Sequence, residues 1–235
     1  HGNACGAGVS NDPVESIKKM IDGDTRAIFG GVVMINAKIT LEVAKTLIEY
    51  QMRQGSKRLL DGVVGSEVDD AALEILNRNK LRVVTNKALG SLSIDSLDTK
   101  RRLRPVRGGL LEQPNYDFVL DYSADYMQFN GTLNDQQKQD LVQAWAIGST
   151  SNSNTITIVK DGQMIGNGVG QQDRVGAGQL ALTRTTNSFP VVEEKDDKIF
   201  IKIELDKTKL VGACAYSDSF FPFPDGPELL AKAGI

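Results

Sequence analysis

The sequence predicts an α/β layered fold, and three observations carry that prediction. Short apolar segments alternate with segments of helical spacing through the first hundred residues. Glycine supplies 23 of 235 residues, above the ~7% usual in globular chains. These glycines gather in clusters at Gly2–Gly8, Gly30–Gly31, Gly108–Gly109 and Gly162–Gly170, beside apolar segments where backbone turns tightly or approaches a ligand. For any single cluster an ordinary turn is the plainer reading. The length suits one large domain or two small ones, with about 70% of the unfolded surface buried on folding.

Residues 1–12 read as a Gly-rich loop. Asp12-Pro13 before VESIKKMI supplies a cap and a proline at the first helical position, so a helix starts there. Phe29–Asn36 reads as a buried strand. Thr40–Gln54 carries Leu41, Ala44, Leu47 and Ile48 at helical spacing, with Gly55 as its stop. A strand at Leu59–Val64, a helix at Asp69–Asn77 and a strand at Lys80–Thr85 follow. Residues 86–107 are polar and contain Arg101, Arg102, Arg104 and Arg107. They form a candidate boundary between two lobes, read as a solvated linker in preference to a phosphate clamp. Beyond it come a helix at Asn134–Ile147, capped by Asn134, and a strand at Thr155–Val159. Asp161-Gly162 turns the chain back into Met164-Ile165. A helix at Asp173–Thr185, a strand at Ile199–Ile203, a buried run at Val211–Tyr216, a loop at Ser217–Asp225 and a helix at Pro227–Ala233 complete the chain.

Composition narrows the function. A net charge of −3 removes the general electrostatic case for nucleic acid or an anionic membrane. Cys5 and Cys214 are too few for a disulfide framework. With a single histidine they also cannot make the Cys-x-x-Cys zinc site of a nucleoside deaminase. No apolar run approaches a membrane span and no signal peptide is read at the start, so the expectation is a cytoplasmic protein.

Four segments are hard to explain as packing. His1 sits on a Gly-rich loop and could act as a general acid or base, the alternative being an unstructured end. Asn154, in Ser153-Asn154-Thr155, offers a donor and an acceptor that can steady an oxyanion; on spacing alone it is a turn residue before a strand. Gly166–Arg174 enters a helix whose N–H groups can bind an anion, but it lacks the Lys-Ser/Thr ending of a P-loop. Ser217–Asp225 holds three Phe and two Pro, a satellite core or an aromatic wall for a flat ring.

Together these segments resemble one family, the AICAR transformylase region of the bifunctional purine biosynthesis enzyme. HGNACG resembles the family's Lys-His-x-x-Pro-x-Gly loop, and Ile28–Val33 its Ala-Phe-Gly-Gly strand. Leu60-Asp61-Gly62-Val-Val64 with the helix at Asp69–Leu76 is similar to its next strand and helix. Arg104-Pro-Val-Arg-Gly-Gly-Leu-Leu-Glu-Gln113 resembles its Arg-x-x-x-Gly-Gly-x-Leu-x-Gln element. Asp140–Trp145, Ser153-Asn154 and Lys160–Arg174 follow its longest signature, and Ser217–Asp225 is similar to its Ser-Asp-Ala-Phe-Phe-Pro-Phe-x-Asp loop.

The resemblance implies two cytidine-deaminase-like α/β/α lobes, each a three-layer sandwich, at residues 1–100 and 101–235, incomplete at both ends and open to exchange of segments. It implies formyl transfer from 10-formyltetrahydrofolate, a co-substrate, to AICAR, giving formyl-AICAR for IMP biosynthesis. It also implies a homodimer with shared active sites and no metal in catalysis. His1, Asn154 and Asp61 match catalytic positions. Phe29, Gly30, Gly31 and Phe220 match the AICAR side, and Gln171, Gln172, Val175 and Asp225 the folate side.

The chain also departs from the family. No lysine precedes His1, Ala4 replaces a proline, and Ser149 and Asn152 stand where lysine is common. Arg26 replaces a small apolar residue. The family's strand and substrate-phosphate arginine after the position of Ile235 are not in the sequence, nor is a cyclohydrolase domain. The expectation is therefore an interior piece of a longer enzyme, inactive in isolation. The alternative is a catalytically degenerate folate- or nucleotide-binding homologue of the same fold.

Overall fold

The computed structural model describes residues 2–186, 191–195, 198–202 and 204–235. His1 and the last residue of the predicted strand at Ile199–Ile203 lie outside the described residues. The first helix, α1 (Pro13–Gly23), starts where the sequence places it: the Asp12 side chain accepts the Val14 N–H at 2.9 Å. It buries Ile17 and Ile21, one helical turn apart. Strands β1 (Val32–Met34), β2 (Gly62–Gly65) and β3 (Arg82–Thr85) pair in parallel, with β2 central. The crossovers are α2 (Leu41–Glu49) and α3 (Asp70–Leu76). Val33, Val63 and Val83 are in register and pack with the three helices into one core. Met34, Val64 and Val84 form the next register row, whose side chains point to the opposite face. Met34 and Val84 are exposed there, so helices cover one side of this sheet among the described residues.

Helix α2 ends five residues before Gln54, the predicted last residue. Tyr50 turns to extended backbone, and Gln51 takes a left-handed φ of 60°. The reason lies further along the chain. Arg58, buried at 4% exposure, donates to the carbonyls of Leu47 and Tyr50, each at 2.7 Å. A cation over the last carbonyls of a helix satisfies orphan acceptors and meets the negative end of the dipole.

The linker predicted at 86–107 is folded instead. Two 3₁₀ turns at Lys87–Ser91 and Ile94–Ser96 lead into an antiparallel hairpin, β4 (Arg102–Val106) and β5 (Gly109–Gln113). Every residue of both strands is exposed. The arginines hold the hairpin surface: Arg101 pairs with Glu112 at 2.9 Å, and Arg102 lies over the Tyr116 ring at 4.9 Å.

The second sheet is antiparallel, in the order β10 (Cys214–Ser217), β6 (Ile156–Lys160), β7 (Gln163–Gly168). Its hairpin turns at Asp161 and Gly162, with φ of 51° and 73°, the pattern of a type I′ turn. Helix α4 (Asp135–Gly148), with its Asn134/Gln137 capping box, packs on one face through Ala144 beside Val159 and Met164. Helices α5 (Arg174–Thr185) and α7 (Asp225–Ala233) pack on the other, over Ile156, Ile158 and Ile165. Three layers result around this sheet. The short helix α6 (Lys207–Leu210) adds Leu210 to the same core. A second hairpin, β8 (Val191–Lys195) with β9 (Lys198–Lys202), lies between α5 and α6 in sequence.

The glycines of β7 serve packing. A Cβ on Gly166 would sit 2.3 Å from the Ala181 carbonyl, and one on Gly168 would sit 2.1 Å from that of Ala177. Backbone of α5 therefore lies directly on β7, an approach only glycine permits. The N-terminal loop completes the sheet edge: Val9 donates to Gly162 O at 2.7 Å, and Met164 donates to Ala7 O at 3.0 Å.

Candidate functional site

The predicted site residues fall into two groups. The first is built on the loop entering β1. Gly30 and Gly31 both have left-handed backbone, φ 73° and 80°, which only glycine adopts in succession without strain. Asp61, just before β2, accepts the Gly31 N–H on Oδ2 at 3.2 Å, and its own N–H donates to Gly31 O at 2.8 Å. Phe29 is 61% exposed at the same turn. Gly30 and Gly31 line a cavity of about 420 Å³, together with Asn3, Cys5, Met20 and Leu60. A larger cleft of about 740 Å³ lies at Lys18, Lys160 and Lys209 and contains none of the predicted residues. The smaller cavity is the one lined by the glycine turn.

The second group is built where β6 begins and α5 starts. Asn154 and Gln171 exchange backbone hydrogen bonds at 3.2 Å, and Asn154 Nδ2 donates to Gln171 O at 2.9 Å. The Arg174 guanidinium donates to Asn154 Oδ1 through Nη1. Its Nη2 lies 3.6 Å from the Asp218 carboxylate, and its Nε donates to Ser219 O at 3.4 Å. Asp218 accepts the Thr155 N–H at 3.0 Å and the Ser153 hydroxyl. A cation in the first turn of α5 opposes the helix dipole; the neighbouring carboxylate offsets that. Burial, with the charge of Asp218, holds the Tyr216 phenol above its ordinary pKa.

The N-terminal loop touches both groups. Asn3 lines the 420 Å³ cavity, while its Oδ1 accepts the Asn152 N–H at 3.1 Å. Asn167 Nδ2 donates to Ala4 O at 3.2 Å. Two residues after His1, the chain is thus bonded to the segment leading into Asn154 and lines the cavity of the glycine turn.

The remaining predicted residues take separate places. Phe220 is 78% exposed and Phe223 68%, so the aromatic loop is not a satellite core; only Phe221 packs inward. Phe220 follows Ser219, which Arg174 holds. Gln172 is exposed and Val175 half-buried near the start of α5. Asp225 opens α7, exposed, and accepts its neighbour's N–H, that of Gly226, at 2.8 Å. Among the described residues no group of three or more His, Cys, Asp and Glu side chains is placed to hold a metal ion.

Arg174 and Asp218 are site residues that motif reading passes over. The signal was present: an arginine at a helix start and an aspartate in the aromatic loop, opposite charges in two segments already marked as unexplained by packing.

The sequence matches the family model for the AICARFT/IMPCHase bienzyme over residues 1–184. It is 31% identical, over its full length, to the bifunctional purine biosynthesis protein PurH of Bacillus cereus (strain ATCC 10987 / NRS 248). It is 30% identical to the proteins of that name from Bacillus thuringiensis (strain Al Hakam) and Bacillus anthracis (strain A0248). In each case it spans 40% of the relative's length. On this match, which takes in both residue groups as far as Arg174, the chain belongs to the AICARFT/IMPCHase bienzyme family.

Proposed function

We propose that this region carries the formyl-transfer step of purine biosynthesis, from 10-formyltetrahydrofolate to AICAR. The observation that supports it most is the placement of the N-terminal loop. It lines one cavity with Gly30 and Gly31, bonds to Asn152 two residues before Asn154, and follows directly on His1 in the sequence. In this reading AICAR lies on the side of Phe29, Gly30, Gly31 and Phe220. The folate lies against Gln171, Gln172, Val175 and Asp225.

The chemistry then follows from residue types. The AICAR amine attacks the formyl carbon and His1 takes the amine proton. Negative charge grows on the formyl oxygen, where Asn154 can donate a hydrogen bond. The bond from the formyl carbon to the folate nitrogen breaks, that nitrogen takes a proton, and tetrahydrofolate leaves. Asp61 holds the glycine turn that shapes the AICAR side. No metal enters this scheme.

The active form proposed is a cytoplasmic homodimer with shared sites. Leu103, Leu110 and Leu111 on the exposed β4–β5 hairpin are 55–61% exposed, apolar area that a second copy would cover. No described helix is long and apolar enough to cross a membrane.

The test is a steady-state assay of the full-length natural protein, following tetrahydrofolate release with both substrates present. Release that requires AICAR supports the reading. Binding of both ligands with no release supports the degenerate homologue.

A further inference from the structure

We propose that the 740 Å³ cleft beside the tip of the β6–β7 hairpin is a binding site for a small polyanion carrying two or more phosphate groups. Lysines from three elements converge on it: Lys18 and Lys19 from α1, Lys160 from the end of β6, and Lys209 from α6. All four are half-buried. Like charges gathered in a concave site raise its potential and draw anions to it. Among the described residues the cleft shares no lining residue with the 420 Å³ cavity of the glycine turn. Lys160 stands at the other end of β6 from Asn154, roughly 20 Å away at ~3.4 Å per residue. The site is thus separate from the one assigned to formyl transfer and does not rest on that reading.

The ammonium groups are held in place without being neutralised. Lys19 Nζ donates to the carbonyls of Asp161 at 2.7 Å and Val9 at 3.2 Å. Lys160 Nζ donates to Thr208 O at 2.9 Å. Lys18 Nζ lies 5.9 Å from the centroid of the Tyr50 ring. Carbonyl oxygens and a ring face fix a cation and leave its charge in place. Among the described residues none of the four lysines forms an ion pair. Three carboxylates also line the cleft. Asp22 accepts the Tyr50 hydroxyl at 2.8 Å and the Gln51 amide at 3.4 Å. Glu15 and Asp161 are exposed, where salt water screens their charge more than that of the half-buried lysines.

This pattern selects the class of ligand. Each ammonium offers three donors and no acceptor, so the partner must be rich in acceptor oxygens. Lysine meets phosphate as a point charge, without the fixed fork of arginine, which suits donors arriving from separate elements. One carboxylate or one phosphate engages a single lysine or a neighbouring pair; spanning α1, β6 and α6 takes linked phosphates. The cleft volume lies within the range of small-molecule sites and leaves room for a nucleoside beside them. A nucleoside polyphosphate and a free oligophosphate share this chemistry.

The test is isothermal titration of the full-length protein with sodium tripolyphosphate and, separately, with ATP. AICAR is present at saturation so that the site proposed for it is filled. The unaltered protein is compared with a variant carrying Lys18→Ala and Lys209→Ala together; Lys19 and Lys160 are kept because they hold backbone carbonyls. Saturable binding of tripolyphosphate is expected, weakened at least ~10-fold in the variant and weakened also by added salt. ATP bound more tightly than tripolyphosphate, and lost in the same variant, supports the site and assigns it to a nucleotide. Equal binding of the two supports the site and assigns it to the phosphate chain alone. Should the double variant not fold, Lys209→Glu by itself takes its place, with the same loss expected. No saturable binding of either probe, or affinities within about threefold between variant and unaltered protein, would overturn the proposal. Formyl transfer does not enter the readout, so the two readings stand or fall separately.

Discussion

The Asp140 carboxylate on α4 accepts the backbone N–H of Gly162, at the tip of the β6–β7 hairpin, at 2.8 Å. Its other oxygen accepts the N–H of Asp161 at the same distance, and Gln136 Nε2 donates to the first oxygen at 2.9 Å. Asp140 is 2% exposed, so water cannot replace these partners. The helix on one face of the sheet therefore fastens the turn that the N-terminal loop also grips through Val9.

Asp140→Ala removes the acceptor of two turn N–H groups, that of Gly162 buried, and is expected to cost about 3 kcal/mol. Asp140→Asn keeps one acceptor but sets an NH₂ group against a turn N–H, and is expected to cost about 2 kcal/mol. Urea unfolding checks both, with the asparagine variant the milder.

Arg58→Met removes two hydrogen bonds from the last carbonyls of α2 and leaves those acceptors under the cap unpaired. The expected loss is about 2–4 kcal/mol. Hydrogen exchange should rise first at the α2 amides. An unchanged urea midpoint would contradict the capping role.

Cys214 should be inert while the protein is folded. Burial, then the nearby Asp140 charge, pushes its thiol up to about 11. At pH 8 alkylation in the native state is expected to be very slow, and unfolding should restore an ordinary rate. From about pH 9 to 11 the unfolded thiol ionises while the native thiol keeps its proton. The native state then binds more protons, so this group makes stability fall as pH rises through that window. Cys214→Ser should flatten that part of the pH–stability curve.

Asp61→Ala removes the Gly31 N–H acceptor and loosens the glycine turn. The expected result is a rise in KM for AICAR of about tenfold, corresponding to ~1.4 kcal/mol of binding, with the fold intact. Asp61→Asn, which keeps an acceptor oxygen, should recover part of it.

Much of this architecture was legible in the sequence because its signals are local. Asp12, Asn134 and Asp173 cap helices that begin where those residues stand, and Asp161-Gly162 turns its hairpin. Misreadings came from long-range partners. Helix α2 stops early because Arg58, eight residues past Tyr50, holds its end. The β4–β5 hairpin was hidden because strands exposed on both faces carry no apolar alternation. In the candidate site, Asn154 and Asp61 were visible as motif residues. The Arg174–Asp218 pair was not, since its members are 44 positions apart and meet only when α5 and β10 flank β6 and β7.

The most direct measurement follows the formyl carbon itself. The full-length protein is mixed with AICAR and 10-formyltetrahydrofolate labelled with ¹³C in the formyl group, and the label is read by NMR. The label is expected to move to the 5-amino nitrogen of AICAR, and Asn154→Ala to slow this about 100-fold. Label that stays on the folate, or appears as free formate whether or not AICAR is present, would contradict it.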